Sequence, residues 1–202
     1  MKQTFLIFIT LLIIPTHGYA AEERQDVVAT VFGKDISLEM IKQSPEAELA
    51  LLIWTPIREE FEKTHDVEPT EEEIKTFTEF MDRSAAKAHE KLPEDLKARL
   101  PDPASMREAS KPMYRDMVKQ WRISKALYEE YKGEVIFQQA NPMEPVGAYR
   151  KLLESHEAKG GFKIYDVKLR ESFWEYYTRK HPFIVPPEGV DYSKPWWLQK
   201  DR

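Results

Sequence analysis

The sequence predicts a mainly α fold, with one small β-hairpin near Val27 to Ser37 and a C-terminal helix that returns to pack on the N-terminal helices. Three observations carry this. Apolar residues recur at helical spacing in several segments, against two or three short extended ones. Charged residues make up 32% and are interspersed with helix formers, while only 7 of 202 residues are glycine, a composition that suits helices. The last periodic segment carries Phe173, Trp174 and Tyr177, and nothing after Pro182 is long enough to form a core with it. It must therefore bury those rings on the earlier helices.

In chain order, Met1 to Ala20 combines Lys2, an apolar run from Phe5 to Ile14, helix-breaking Pro15 and Gly18, and the small-x-small end Gly18-Tyr19-Ala20. That pattern predicts a secretory signal cut before Ala21, because the apolar run falls well short of the roughly 18 residues a bilayer span needs. No second apolar run follows, so stable membrane insertion is not expected. Cysteine is absent, which removes disulfides, thiolate metal sites and a lipid-bearing cysteine. An exported chain of this size then relies on its core. A net charge of -5, from 30 basic and 35 acidic residues, argues against nucleic acid and anionic membranes as partners, since both need a positive field.

Val28, Val31-Phe32, Gly33 and Ile36 read as strand, turn and strand, with Ser37 placed to cap a helix carrying Met40 and Ile41. Ser44-Pro45-Glu46 starts the next helix as N-cap, N1 proline and acidic first turn. Leu49, Leu52, Ile53 and Trp54 form its buried side, Thr55-Pro56 interrupts or kinks it, and Ile57 and Phe61 continue the stripe. Thr70 with Glu73 is a capping box. The helix it opens is expected to bury Ile74, Phe77, Met81, Ala85 and Ala88 and to end before Pro93. Prolines 93, 101, 103 and 112 argue against one long helix from Leu92 to Pro112, though Glu94 to Leu100 suits a short one.

From Lys111 or Pro112 to Tyr131, the seven-residue spacing of Tyr114, Trp121 and Tyr128 predicts a strong helix ended by Gly133. Val135-Ile136-Phe137 reads as a short strand. Pro145 starts a helix with Val146, Tyr149, Leu152 and Leu153 inward, stopped by Gly160-Gly161. Phe162 to Tyr165 is extended, and Asp166 caps a last helix with Leu169, Phe173, Trp174 and Tyr177 inward. The tail is proline- and aromatic-rich, and Trp196-Trp197 is expected to dock on the body. The expected division is a signal over 1–20, a helical module over 21–133, a helical segment over 134–181 packed on that module, and a tail over 182–202.

Three stretches carry a family resemblance. Val28-Ala29-Thr30-Val31-Phe32-Gly33, with Ile36-Ser37 and Glu39 following, resembles the V-A-x-V-N-G opening of the SurA-type periplasmic chaperones and their parvulin-linked relatives. Pro69-Thr70-Glu71-Glu72-Glu73-Ile74 is similar to a P-T-x-x-E-hydrophobic turn of that family, and Trp121 to Gly133 is similar to the W-K-x-x-K-A-L-Y-E-K-Y-G-G of its last N-terminal helix. Phe32 departs from the pattern, where asparagine is usual. The resemblance implies a SurA N-terminal-like helical domain in the periplasm or cell envelope, completed by a returning C-terminal helix. The G-D-L-G and G-Y-H-I-I motifs and the paired histidines of the parvulin isomerase domain are missing.

No G-x-S-x-G, H-E-x-x-H, P-loop or G-x-G-x-x-G occurs, and His65, His89, His156 and His181 each stand alone in sequence. Glu71 to Glu73 suit a helix dipole without a catalytic role. No catalytic residue, cofactor or metal ligand is therefore expected. The reading is a chaperone-like protein that binds unfolded or extended polypeptide without nucleotide or covalent chemistry, through Phe77, Phe80, Met81, Met106, Met113, Met117 and Trp121, because thioethers and rings adapt to varied partners. The alternatives are an isomerase-family protein with cryptic activity and an assembly factor dedicated to one envelope complex. Sequence leaves the oligomeric state open.

Overall fold

Strands β1 (Val27–Val31) and β2 (Lys34–Ser37) pair antiparallel, and the closing pair Val31 and Lys34 leaves Phe32-Gly33 as a two-residue turn. Both turn residues have positive φ, 46° and 75°, as the twist of a tight hairpin requires. A phenylalanine there is strained. It is held by its own N–H, which donates to the Gly161 carbonyl at 2.7 Å, and by its ring, edge-on to His156 at 5.8 Å. The structure, a computed structural model, describes residues 26–97, 99–100, 103–139 and 141–199, without the side chains of 103–106. The expected signal over 1–20 and the side chain of Met106 lie outside the described residues.

The hairpin is two thirds of a sheet. Strand β3 (Phe162–Ile164) pairs antiparallel with β1, with Val31 opposite Phe162 and Ala29 opposite Ile164, so the order is β2-β1-β3. Val28, Val31, Ile36, Phe162 and Ile164 are buried and share one core with four helices. Helix α1 (Pro45–Thr64) contributes Leu49, Ile53, Ile57 and Phe61 at a spacing of four. Pro56 lies inside that helix as a single element. A proline costs about 3 kcal/mol in a helix interior, but fully burying Ile53 and Ile57 on either side returns about 2 kcal/mol each or more. Leu52 and Trp54, expected inside, are only half-buried.

Helix α2 (Glu71–Glu90) opens with the expected capping box, Thr70 accepting from the Glu73 amide while the Glu73 carboxylate accepts from the Thr70 amide. Its expected stripe is corrected. Phe77 is buried, Ile74 and Met81 are half-buried, and Ala85 and Ala88 are exposed. A short helix α3 (Glu94–Lys97) leads into α4 (Pro103–Tyr131). Helix α4 starts well before the expected Lys111 and carries Pro112 inside it. Pro112 is exposed, so water can satisfy the carbonyl that loses its amide partner. No described side chain from Arg83 to Met113 is buried. The C-terminal part of α2 and the N-terminal part of α4 are joined by an Arg107–Asp82 ion pair at 3.0 Å.

Lys132 and Gly133, both at positive φ, end α4. Val135 to Phe137 then runs extended between two partners: Ile136 bridges Glu144 on one side and Ile184 on the other. Helix α5 (Val146–Ala158) buries Val146, Tyr149, Leu152 and Leu153. Helix α6 (Val167–Thr178), capped by Asp166 through the Leu169 amide at 2.9 Å, buries Leu169 and Phe173. Its Phe173 ring meets Phe162 of β3 at 5.7 Å. The fold is mainly α with a small N-terminal sheet, and the C-terminal helix does return to pack on the earlier ones.

The backbones of the α4 exit and the α5 start cross at Gly133 and Gly147, where the Gly147 amide donates to the Glu134 carbonyl at 2.9 Å. A Cβ on Gly147 would stand 2.4 Å from the Glu134 nitrogen, and backbone cannot swing aside. Gly147→Ala should therefore cost about 3 kcal/mol. Gly33→Ala, in open space but at φ +75°, should cost about 1 kcal/mol. Urea denaturation of both variants checks the order, and equal stabilities would contradict the crossing.

Candidate functional site

Of the expected binding residues, Phe77, Phe80, Met81, Met117 and Trp121 lie on the facing sides of α2 and α4, and the cleft along these helices is filled. Helix α2 supplies Phe77, Phe80 and Met81, while α4 supplies Tyr114, Met117, Val118 and Trp121 at helical spacing. The C-terminal tail lies across the seam of the two helices, which also meet directly, Phe77 to Tyr114 at 5.6 Å. Trp197 stands 5.0 Å from Phe77 and 5.5 Å from Trp121, and Trp196 stands 5.3 Å from Phe80. All three contacts are close to perpendicular, the geometry ring quadrupoles prefer. The Trp197 indole N–H donates to the Thr76 hydroxyl at 3.2 Å.

The tail arrives as an extended strap. Val185 donates to the Val135 carbonyl, the Phe183 carbonyl accepts from Phe137, and Tyr192 stacks on Tyr128 at 4.9 Å while its hydroxyl donates to the Met143 carbonyl. Single turns at Pro187–Gly189 and Trp196–Leu198 then aim the two tryptophans into the cleft. The Gln199 amide donates to the carbonyls of Asp191 and Lys194 and holds the last loop closed.

Phe77, 0% exposed, and Trp121, 4% exposed, are thus the floor of a covered cleft. The reason is that each has a ring of the chain's own tail against it. Phe80, Met81 and Met117 form a half-buried rim. Met113 is half-exposed and continues into a groove of about 460 Å³ between α1 and α4, beside Met117 and Ile123. That groove is walled by charge, including Arg58, Glu62, Asp116 and Lys119. Sequence reasoning missed Tyr114, Val118 and Thr76 as cleft residues and missed Trp196 and Trp197 as their occupant. The heptad of Tyr114 and Trp121 was a usable signal for the first two, whereas nothing local links Trp197 to Thr76.

Two buried donors at the cleft lack an acceptor among the described residues, the Arg122 Nε and the Trp121 indole N–H, and an unpaired buried donor costs roughly 1–3 kcal/mol. The end of the cleft is fixed by charge. Arg122 donates to both Glu73 oxygens, at 3.0 and 3.2 Å, and to the Asp66 carbonyl and carboxylate. Lys119 bridges Glu62 at 2.9 Å and Glu68 at 2.7 Å, so the hydrogen bond from Lys119 holds the Glu68 carboxyl below its ordinary value. Among the described residues no three histidine, aspartate or glutamate side chains are grouped to hold a metal ion, and no helix is long and apolar enough to cross a membrane. No protein-family model, curated protein or solved structure matches this chain.

Burial raises the Glu73 carboxyl pKa, but the Thr70 amide and hydroxyl and the Arg122 guanidinium outweigh it and leave the group below its ordinary 4.5. A depressed carboxyl stabilises the fold fully above its unfolded pKa and loses that contribution as pH falls through the folded one. Glu73→Gln should therefore cost about 1 kcal/mol at neutral pH, the scale of a partly exposed cap and ion pair. The gap to the parent should close as the pH falls below about 4.5. Urea midpoints at neutral pH and near pH 3 check this, and a gap that widens in acid would contradict it.

Proposed function

We propose that this protein is an exported, chaperone-like binding protein that holds extended polypeptide segments rich in proline and aromatic residues in the α2–α4 cleft, with no nucleotide and no covalent step. The observation that carries the reading is that this cleft already accommodates such a segment, the chain's own strap ending in Trp196 and Trp197. A site that takes two tryptophans of an extended strand in cis has the shape and the apolar walls to take similar side chains in trans.

The fit of the strap also leaves room for competition. It strands the Trp121 indole N–H without an acceptor, and a client that supplies a carbonyl there gains what the tail forgoes. Phe80, Met81, Met117 and Trp196 are only partly buried, so the rim is where exchange would begin. The three SurA-like stretches at Val28 to Glu39, Pro69 to Ile74 and Trp121 to Gly133 support the same assignment and the periplasmic or envelope location. Methionine on the rim suits varied partners, because an unbranched thioether repacks at little cost.

The test is fluorescence anisotropy of a labelled, unstructured peptide bearing two tryptophans and a proline. Trp196→Ala in the full chain removes the half-buried half of the occupant and should bind the peptide about tenfold more tightly than the parent, as loss of an intramolecular competitor predicts. Adding Met81→Glu on the rim should abolish that gain while the melting temperature stays close to that of the single variant. A well-folded Trp196→Ala protein with no affinity for the peptide would overturn the proposal.

A further inference from the structure

A second cavity, of about 320 Å³, opens between α1, α4 and α6, at the small end of the range that holds organic ligands. Its walls are aromatic and its polar groups few: Trp54, Tyr149, Tyr176 and Tyr177 line it with Glu144, Gln120 and Asn141, and among the described residues no lysine, arginine or histidine lines it, the Arg179 guanidinium lying over the Tyr176 ring. Trp54 stands perpendicular to Tyr149 at 5.0 Å and Tyr176 perpendicular to Tyr177 at 5.2 Å.

The polar groups satisfy one another, with one exception. The Gln120 amide donates to the Tyr149 hydroxyl at 2.8 Å, which also meets the Ser124 hydroxyl at 3.2 Å, and the Asn141 amide donates to Ser124 at 3.4 Å. Gln138 donates to the Tyr176 hydroxyl at 2.7 Å, and that hydroxyl donates to Glu144 Oε1 at 2.7 Å. Among the described residues, no side chain donates to the other Glu144 oxygen and no basic residue forms an ion pair with it. Glu144 is also rigidly placed, its amide and carbonyl both bonded to Ile136. Burial raises its carboxyl above the ordinary value, with the Tyr176 bond and the nearby His181 opposing. The His181 ring is itself engaged, with Nε2 donating to the Tyr176 carbonyl at 2.8 Å.

A half-buried carboxylate without an ion-pair partner is costly, and a ligand cation would relieve that cost. Ring faces attract cations as well, most strongly where water is excluded. The tyrosines stay neutral while doing so, since burial pushes Tyr177 up to about 12. An anion would meet the Glu144 carboxylate, and a neutral apolar ligand would leave that carboxylate without an ion-pair partner. We propose that this cavity binds an organic ammonium group, held by the Glu144 carboxylate and the rings of Trp54, Tyr149 and Tyr177, while the Tyr176 ring is taken by Arg179 at 5.6 Å. The site is separate from the α2–α4 cleft and does not depend on the function assigned to it.

Two sources supply that chemistry, a free small ammonium and a lysine side chain of a bound polypeptide. Calorimetric titration of the full chain with choline and its uncharged isostere 3,3-dimethylbutanol, and with N-acetyl-lysinamide and its isostere N-acetyl-norleucinamide, separates them. At least one ammonium should bind about tenfold more tightly than its isostere. Preference confined to choline assigns a free ligand, and preference confined to the lysine amide assigns a polypeptide side chain. Glu144→Gln keeps an acceptor for Tyr176 and should fold with the parent's melting temperature while the preference falls to about twofold or less. Because the isostere comparison on the parent needs no variant, equal binding of charged and uncharged probes overturns the proposal, as does a Glu144→Gln protein that keeps the preference.

Discussion

Helices α2 and α4 pack directly on each other, Phe77 meeting Tyr114 at 5.6 Å, and the molecule depends on how the apolar seam they leave is covered. Helix α2 buries a single side chain completely, Phe77, whereas four buried positions line α1. Fully burying a tryptophan removes some 200 Å² from water, worth about 5 kcal/mol as an upper bound. Trp197, at 4% exposure like Trp121, therefore contributes to this half of the molecule as much as any residue in it, and it comes from the far end of the chain. Without it the cleft floor would face water.

The other half needs no such help. The sheet, α1, α5, α6 and the C-terminal part of α4 share one continuous core, in which β3 and α6 tie the end of the chain to its beginning. Ile123 and Leu127 of α4 belong to that core, while Tyr114, Val118 and Trp121 belong to the cleft. One helix thus serves both, with the Arg122 and Lys119 ion pairs at the junction. The strap can leave the cleft without disturbing the first core, because the two share no buried residue. Local opening of that kind is the usual place for exchangeable binding surfaces.

Caps and glycines were the most legible features, because their chemistry is local. The Thr70–Glu73 box, the Asp166 cap and the Gly133 stop are where the residues put them, and the inward side of α6 follows from simple periodicity, whereas the Ser37 and Ser44 side chains, read as caps, accept no capping bond. Features that depend on distant partners were not legible. Phe162 to Ile164 reads as extended, but its pairing with Ala29 to Val31 requires closure of a very long loop. Ala85 and Ala88 fit the helical stripe yet meet no partner, since periodicity says which side of a helix is apolar and not whether anything covers it. Pro112 argues against a helix only where the freed carbonyl is buried, and here it is not. The candidate site was half legible: Phe77, Phe80, Met81, Met117 and Trp121 do come together, and what covers them was hidden 121 residues away, in the Trp197 bond to Thr76.

The central claim is that the strap and an extended client compete for one cleft. The Trp197 indole N–H, bonded to Thr76, reports occupancy directly through its proton–nitrogen NMR resonance. Titration of the full chain with an unfolded client should move that resonance to the position of a free, solvent-exposed indole in step with client binding, while the Trp174 indole in the first core stays in place. A client that binds to saturation with the Trp197 resonance unmoved would show that binding occurs elsewhere and would contradict the claim.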